Sequence, residues 1–316
     1  MKGKHWPRLA VVLIALALVA AACGDSDDTT TTAAAAAATT TTAAATTTTG
    51  AAAATTTTEA MAEVPGLVEE GKLIVVTTGN FPPYTLINAD TGDNEGYSID
   101  LAQAVADRLG LEAEFPTVDF VAELEGLAQG LYDIADSGIW PNQARQEAGF
   151  VFSRPVTSTG IIAQVVAEMV DSEGFGDVTG KKIGGIQGSS QEKLVLDGEA
   201  EMGYDEYLGF AGAAEALIGL QQGRVDLLVF DTLVAGYTAV TNDEFGVAGP
   251  TIFPHPLSFT YQTGNEAKRD AIDVALNELL ADGTVAALQI KWFGRCIPVP
   301  DDINQEAPYD TMASGC

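Results

Sequence analysis

The body of the chain, from about residue 72 to residue 294, alternates short apolar runs with amphipathic stretches. "KLIVVTTG" is β-branched and strand-like, and "SIDLAQAVADRLG" follows with Leu101, Val105 and Leu109 at helical spacing and Gly110 as a stop signal. The rhythm recurs in "FVAELEGLAQG" and "LYDIADSG", in "KKIGGIQG" and "SSQEKLVLDG", and in "AAEALIGLQQG" and "RVDLLVFD". This alternation predicts an α/β fold with largely parallel strands, in which ligands bind beyond the carboxyl ends of the strands.

Two segments of this body echo each other. "LAQGLYDIADSG" (Leu127–Gly138) and "LQQGRVDLLVFD" (Leu220–Asp231) share a leucine, a glycine three residues later, an aspartate after three more, and then a strand. They lie 93 residues apart, which favours two lobes built alike. The alternative is that Leu-x-x-Gly is simply a common way to close a helix.

The N-terminus is typical of a bacterial export signal. Three basic residues precede the apolar run "LAVVLIALALVAAA", which is too short and too rich in alanine for a membrane-spanning helix. "VAAACG" resembles the lipobox of bacterial lipoproteins, although Ala20 stands where leucine is usual. We therefore expect residues 1–22 to be removed and Cys23 to be lipidated, which would anchor the protein outside the cell membrane. Ordinary cleavage nearby is the alternative.

A low-complexity stretch follows the expected cleavage site. Residues 29–58 are Thr or Ala throughout, except for Gly50, so they offer nothing that could bury a core. We interpret residues 23–63 as a flexible tether with a root-mean-square reach of about 35 Å.

Charge and cysteine content narrow the partners. The formal net charge is −29 at pH 7, and removing residues 1–22 would leave 12 basic and 44 acidic side chains, a net charge of −32. Such a surface disfavours nucleic acid and anionic lipid headgroups. With Cys23 lipidated, Cys296 and Cys316 remain, and such a pair in an exported protein suggests a disulfide that closes the tail. Two free cysteines are the alternative.

The end of the first echoed strand carries a candidate anion-binding group. Ser137 and Gly138 end that strand, and Arg145 follows on the next loop or helix start. A guanidinium offers a planar fork of donors that matches a carboxylate. Arg145 could equally pair with one of the many surface acids.

Two further strand ends carry polar groups. In "IQGSSQEKL", Ser189 and Glu192 have capping-box spacing, so the free N–H groups of the helix could bind an anion, or the helix is simply well capped. Asp231 ends the second echoed strand, where it could receive an ammonium group or merely cap the next helix.

Aromatic residues follow two of the strands. Phe81 and Tyr84 flank a Pro-Pro turn in "GNFPPYTL", and Phe120 opens the helix after "PTVD". They could form the walls of a pocket, or belong to the core as most aromatics do.

The sequence holds little that would support catalysis. Its only histidines are His5, in the expected signal, and His255 in "FPHPLS". It shows no Cys/His metal spacing, no Ser-His-Asp order and no Gly-rich phosphate loop, so we expect neither an enzyme nor a cofactor.

Taken in order, the motifs from about Gly66 to Gly294 resemble the family 3 extracellular solute-binding proteins, the amino-acid receptors of ABC importers. The resemblance rests on "GNFPPY", "GYSIDLAQAVADRLG", "GLYDIADSGIWPNQARQEAGFVFSRP", "GKKIGGIQGSSQEKL", "GRVDLLVFD" and "LLADGTVAALQIKWFG". It implies a two-lobe clamp of the type II periplasmic-binding-protein kind, in which the chain crosses twice between lobes and the ligand is enclosed between them.

The resemblance also implies where the lobes begin and end. Residues 64–157 would form the first part of lobe 1, residues 158–254 lobe 2, and residues 255–295 the return to lobe 1. Residues 296–316 would form a C-terminal tail.

The family's binding residues can be placed on this sequence. By position, Arg145 would hold the α-carboxylate of an amino-acid ligand, helped by backbone donors at Ser189 and Ser190. Such a zwitterion needs both of its charges paired once water is excluded.

The resemblance to the family also places the remaining residues of the expected site. Asp231 would take the α-ammonium group, assisted by Ser137 or the carbonyl group of Gly138. Phe81 and Phe120 would sandwich the ligand's side chain.

The sequence departs from the family pattern at three other positions of the expected site. Trp140 stands where a small hydroxyl residue usually bonds to the ligand, so the pocket is narrowed or the backbone shifted. Thr78 and Ser98 occupy positions that are acidic in receptors for cationic amino acids. No lysine or second arginine aligns with the pocket either, which disfavours acidic ligands, so we expect a neutral amino acid as ligand.

The resemblance also implies partners and alternatives. We expect a monomer that delivers its ligand to ABC permease subunits. The alternatives are a sensory receptor for a membrane kinase and a dehydratase-type enzyme on the same fold.

Overall fold

The computed structural model describes residues 63–304. The predicted signal, the lipidation of Cys23, the tether up to residue 62 and the predicted disulfide partner Cys316 lie outside the described residues. Cys296 is disulfide-bonded and almost completely buried, and its pairing with Cys316 stays a prediction. Within residues 63–304, no helix is both long enough and apolar enough to cross a membrane.

Strands and helices alternate along the described chain. The strands are β1 (Lys72–Val76), β2 (Asn80–Phe81), β3 (Thr85–Ile87), β4 (Asn94–Glu95), β5 (Glu112–Glu114), β6 (Ile134–Ala135), β7 (Phe150–Phe152), β8 (Thr157–Val166), β9 (Lys182–Ile186), β10 (Glu206–Phe210), β11 (Leu227–Asp231), β12 (Phe245–Leu257) and β13 (Thr260–Gln262). The helices are α1 (Tyr97–Leu109), α2 (Phe120–Ala128), α3 (Gln143–Glu147), α4 (Ser190–Asp197), α5 (Glu199–Met202), α6 (Ala213–Gln221), α7 (Thr232–Thr241), α8 (Glu266–Ala281) and α9 (Thr284–Phe293).

The strands form two five-stranded sheets, one in each lobe. The first has the order β5-β1-β6-β13-β7 and the second the order β10-β9-β11-β8-β12, while β2, β3 and β4 form a small separate sheet. In the first sheet β13 is antiparallel to its neighbours, and in the second β8 is. The remaining pairings within the two five-stranded sheets are parallel. The predicted α/β fold with two lobes and largely parallel strands is confirmed.

The chain crosses twice between the sheets. It leaves the first sheet after β7, enters the second at β8, and returns after β12 to β13. The strands next to these crossings, β8 and β12, pair with each other from Thr157 opposite Leu257 to Val166 opposite Phe245. The strand β12 runs as far as Leu257, three residues beyond the point where the sequence analysis ended lobe 2. His255 therefore lies in the second sheet.

In helix α1, the apolar residues that recur at helical spacing in the sequence form the buried face. Leu101 and Val105 are fully buried and Leu109 nearly so, and the helix packs against α8 and α9. It ends at Gly110, whose φ of 65° is left-handed and therefore suits glycine.

In each of the two echoed segments, the shared aspartate makes two hydrogen bonds to one residue of a neighbouring strand, an arrangement that we call an aspartate lock. Asp133 donates its N–H to the carbonyl of Ile74 (2.9 Å), and its carboxylate accepts the N–H of Ile74 (2.9 Å). Asp226 does the same with Lys182 at 2.8 and 2.7 Å. Each aspartate therefore ties the segment before an echoed strand to the parallel strand beside it, which is β1 in the first sheet and β9 in the second. The repeated aspartate has a structural reason, which a helix-closing signal alone would not supply.

The lock of the first lobe also contains a buried ion pair. The Nζ of Lys268, on α8, lies 2.6 Å from Oδ1 of Asp133, and the two side chains are 3% and 0% exposed. The same carboxylate accepts the N–H of Val68 at 2.9 Å. Removing one partner of such a pair leaves an uncompensated buried charge, which is far more costly than losing the attraction itself.

We expect Lys268→Met to lower the free energy of unfolding by about 3 to 5 kcal/mol, because Asp133 would remain buried without its counter-charge. The control is Lys193→Met, which removes an exposed ion pair with Asp197 (2.8 Å) and should cost about 0.5 kcal/mol or less. Urea denaturation of both variants measures the difference. Equal, small losses would show that the pair does not stabilise the first lobe.

Candidate functional site

A cleft between the two lobes is lined by residues that follow strands of both sheets. The first lobe contributes Thr78, Asn80, Phe81, Phe120, Ser137, Gly138, Trp140 and Arg145, and the second lobe contributes Ile186, Ser189, Gln191, Ala211, Gly212 and Ala213. The space between them is about 440 Å³, part of which is open solvent. Seven of the nine predicted site residues line this cleft, whereas Ser190 and Asp231 do not.

The position of Arg145 is fixed from several sides. It lies on the short helix α3, where the side chain of Asn142 caps its backbone N–H at 3.0 Å. Its Nη1 donates to the carbonyl oxygen of Trp140 at 2.8 Å, and its guanidinium carbon lies 5.5 Å from the ring centroid of Phe120. These contacts orient the guanidinium but leave most of its five N–H donors for other acceptors.

Arg145 forms no ion pair with a carboxylate of the described residues. None of the ion pairs there involves its guanidinium, which rules out a described surface acid as its partner. Burial lowers the pKa of Arg145 to about 10, and nearby Glu123 opposes that shift. The side chain therefore remains a cation at neutral pH, partly removed from water.

Aromatic side chains form the apolar walls of the cleft. Phe81 and Phe120 both line it, as the sequence predicted for the walls of a pocket. The ring of Phe81 lies 5.9 Å from Tyr84 in a stacked arrangement and 6.4 Å from Phe230 of the second lobe. Trp140 extends the apolar lining and also packs against the hydrophobic cluster of the second lobe.

Two glycines allow the walls to approach each other. A Cβ at Gly212 would lie only 2.3 Å from the side-chain nitrogen of Asn80 across the cleft. Gly138 has a φ of 73°, and a Cβ there would meet the ring of Tyr84 at 3.0 Å. Sequence reasoning missed Asn80 and Gly212, whose only signals were their positions shortly after the ends of β1 and β10.

The structure bears on one of the two backbone donors expected in the "SSQ" segment, that of Ser189, whereas the role of the Ser190 N–H stays a prediction. Ser189 caps α4 as predicted, since its Oγ accepts the N–H of Glu192 at 3.0 Å. Its own N–H, however, donates to the carbonyl of Ile186 at 3.2 Å and is not a free donor. The Oγ of Ser190 accepts a hydrogen bond from Asn142 at 2.6 Å, so this side chain joins the two lobes instead of lining the cleft.

Asp231 also differs from its expected role. It is 1% exposed and caps α7, with Oδ1 accepting the N–H of Leu233 (2.8 Å) and the hydroxyl of Thr159 (2.9 Å). The hydroxyl of Tyr84, from the other lobe, lies 3.2 Å from Oδ1 and 3.4 Å from Oδ2. The capping role is therefore present, while the role as receptor of an ammonium group stays a prediction, because the hydroxyl of Tyr84 covers the carboxylate. Burial raises its pKa to about 6, against the effect of its donors.

Two buried acids lie beneath the cleft, and the sequence did not reveal them. Glu123, on α2, is fully buried, and neither of its carboxyl oxygens has a hydrogen-bond partner within the described residues. Burial raises its pKa well above the usual value, while Ser137 and Arg145 oppose the shift. Burial also raises the pKa of Asp136 to about 7, against donors from Ser98 and Gly138.

The pKa of Asp136 predicts how stability depends on pH. Its folded-state pKa lies above its unfolded value, so its contribution is present at low pH and is lost as the pH rises through about 7. We expect Asp136 to contribute a rise of about 3 °C in Tm between pH 8 and pH 6, because one such proton is worth about 1 kcal/mol over that interval.

The test is calorimetry at both pH values on Asp136→Asn, which should show a smaller rise because its side chain cannot ionise. The exposed Asp90→Asn is the control and should behave as the wild type does. His255 adds an opposite slope, since its folded pKa of about 4 lies below its unfolded value and stability is lost as the pH falls below about 6.5, but this slope is common to all three proteins and cancels in the comparison. An unchanged pH slope in Asp136→Asn would contradict the assignment.

Comparison with known proteins places this chain in a family. Residues 73–295 match the family model of the bacterial extracellular solute-binding proteins, family 3. The L-cystine-binding protein TcyA of Bacillus subtilis (strain 168) is 29% identical over 228 residues, covering 72% of this chain and 82% of TcyA.

Solved structures give the same answer. An ancestral arginine-binding protein bound to arginine has a TM-score of 0.65 and 31% identity, covering 71% of this chain and 99% of its own. An ancestral arginine-binding protein bound to glutamine has a TM-score of 0.65 and 30% identity, covering 72% and 100%. The chain belongs to the bacterial extracellular solute-binding proteins of family 3, and the predicted resemblance is confirmed.

Proposed function

We propose that this protein is the extracytoplasmic receptor of an amino-acid ABC importer. It encloses a small, neutral amino acid between its lobes and delivers it to the permease subunits. The observation that carries the proposal is Arg145, a partly buried cation in the cleft with no described carboxylate to pair with.

The chemistry of the cleft favours a carboxylate as the group that Arg145 receives. A guanidinium presents parallel N–H donors that fit the two oxygens of a carboxylate. Desolvating a cation without a partner costs several kcal/mol, so a ligand carboxylate in the closed cleft would be held by an interaction that water cannot replace.

The rest of the lining favours a neutral side chain. Arg145 is the only charged residue among those that line the cleft, and the positions near Phe81 and Phe120 are apolar or carry neutral hydroxyl and amide groups. A cationic side chain would lack a counter-charge there. We therefore do not propose arginine as the ligand, although several relatives bind it, whereas cystine and glutamine, which other relatives bind, have no net charge on their side chains.

The ligand's ammonium group is proposed to reach Asp231 through Tyr84. The phenol donates towards the carboxylate of Asp231, and its oxygen keeps lone pairs that can accept from an ammonium group. Burial and the neighbouring Asp231 raise the pKa of Tyr84, so the phenol stays protonated and able to donate.

We expect Arg145→Ala to weaken binding of the best amino-acid ligand at least about thirtyfold, because truncating one partner of a buried charge pair typically costs about 2 to 5 kcal/mol. Arg224→Ala is the matched control: that arginine also lies over a phenylalanine ring, at 5.2 Å, but outside the cleft. Calorimetric titration measures both affinities. Wild-type affinity in a folded Arg145→Ala protein would reject the carboxylate role.

The ligand itself can be identified without assuming its name. Native mass spectrometry of the purified protein reports the mass of any retained ligand, and a thermal-shift panel of amino acids then ranks candidates. Recovery of the ligand chemically unchanged after long incubation is the result expected of a receptor. A changed product would favour the dehydratase-type alternative.

We also propose that the protein is a monomer that is held at the membrane by a lipid on Cys23. It is supported by the sequence "VAAACG" and by the Thr/Ala-rich stretch that follows it, both outside the described residues. A lipidated cysteine before a flexible segment would leave the clamp free to reach a permease.

We expect the wild-type protein to partition into detergent, because an acylated Cys23 carries the hydrocarbon that membrane attachment needs. Cys23→Ser should be released in soluble form. Phase separation followed by immunoblotting measures both. Wild-type protein recovered in the aqueous phase would contradict the anchor.

A further inference from the structure

His255 and Trp140 form a stacked pair at the edge of the cleft. Their ring centroids lie 4.0 Å apart with an interplanar angle of 19°. Trp140 belongs to the first lobe and lines the cleft, whereas His255 lies on β12 of the second sheet and is 2% exposed. The flat face of a buried imidazole therefore supports a tryptophan that a ligand would meet.

The imidazole is itself held by the backbone of β12. Its Nδ1 lies 2.7 Å from the carbonyl oxygen of Phe253, which has a φ of 49° and is the only non-glycine residue with positive φ within residues 63–304. The pairing of β12 with β8 is irregular on the N-terminal side of His255, between Ile252 and His255. The strand departs from regular geometry where its carbonyl fixes the ring.

The stack is made by a neutral imidazole. Burial lowers the pKa of His255 to about 4, the bond to Phe253 opposes this, and the positive charge of Arg145 adds to it. A proton on Nδ1 donates to the carbonyl of Phe253, which leaves Nε2 as an acceptor. That nitrogen has no hydrogen-bond partner within the described residues, so the ring is held by one hydrogen bond and by stacking.

Trp140 connects this support to the binding chemistry. Its ring lines the cleft, and its carbonyl oxygen accepts the Nη1 donor of Arg145 at 2.8 Å. A shift of Trp140 would therefore change both the room beside the ligand and the orientation of the guanidinium.

We infer that His255 is a positioning residue that holds Trp140 as the wall limiting the size of the ligand's side chain. This inference rests on the proposed function, because it concerns the same cleft. His255 touches no ligand; it acts through the tryptophan. The specificity of the cleft is then set partly by the strand that connects the lobes.

Four variants separate the possible roles of the ring. His255→Ala removes it, and His255→Asn removes it but keeps an N–H donor. His255→Phe keeps a flat ring and loses the donor. Trp140→Ala removes the wall directly, and Leu276→Ala, a buried change on α8 away from the cleft, controls for lost stability.

The main measurement is calorimetric titration with L-alanine, L-leucine and L-phenylalanine. We expect Trp140→Ala, His255→Ala and His255→Asn each to raise the affinity for phenylalanine relative to alanine by about tenfold, since small changes in apolar pocket volume discriminate by that order. His255→Phe and Leu276→Ala should keep the wild-type ratio. An unchanged ratio in His255→Ala, when Trp140→Ala shifts it, would overturn the inference.

A second measurement needs no ligand. In a Trp292→Phe background, Trp140 is the only tryptophan outside the predicted signal, so acrylamide quenching reports on it alone. Quenching should increase in His255→Ala and remain near the wild-type value in His255→Phe. If the wild-type protein bound none of the three amino acids, the proposed function would fail for this class of ligand, and quenching would decide whether His255 holds Trp140. Equal quenching in His255→Ala and wild type would reject the positioning role.

Discussion

The antiparallel pairing of β8 and β12 is the interaction on which the site depends. These strands flank the two crossings between lobes, and Thr159 of β8 lies directly opposite His255 of β12. Thr159 donates to Asp231, and His255 stacks on Trp140. One pair of residues in the connecting ribbon therefore supports both Trp140, which lines the cleft, and Asp231, which caps α7. The geometry of the site and the hinge between the lobes cannot vary independently.

A second constraint is the cost of placing charge where water is scarce. The cleft and the layer beneath it contain Arg145, Asp231, Asp136 and Glu123, and burial shifts the pKa of each towards its neutral form. Such groups are unfavourable for stability unless they are paired, and this cost supports the recognition role that we propose for the cleft. The ion pair of Lys268 and Asp133 contrasts with them, because there both charges are matched within the protein.

Much of the fold followed from local pattern. The spacing of Leu101, Val105 and Leu109 specified the buried face of α1, and Ser189 with Glu192 specified the start of α4. These features are local in the chain, so neighbouring residues suffice to define them. The alternation of such elements then required sheets covered by helices, as the structure has them.

The candidate site could be predicted only in part, for a related reason. Arg145 and Phe120 were found because each follows a strand or begins a helix that the pattern predicted. The covering of Asp231 by Tyr84 joins residues 147 positions apart in sequence, and no local pattern reports such a contact. Glu123 was missed because a glutamate in an amphipathic helix normally faces water, whereas here it is completely buried.

The paired aspartate locks have a consequence for how the molecule fluctuates. Asp133 ties Ile74 inside the first lobe with a buried lysine beside it, whereas the equivalent Asp226 ties Lys182 at an exposed position. Amide hydrogens exchange with solvent only when the bonds that hold them open. The amide of Ile74 should exchange with the slowest, most cooperative opening of its lobe, and that of Lys182 through fraying of a strand end. Two locks of the same design thus lead us to expect slower exchange at Ile74 than at Lys182, although the two amides occupy equivalent places in their lobes.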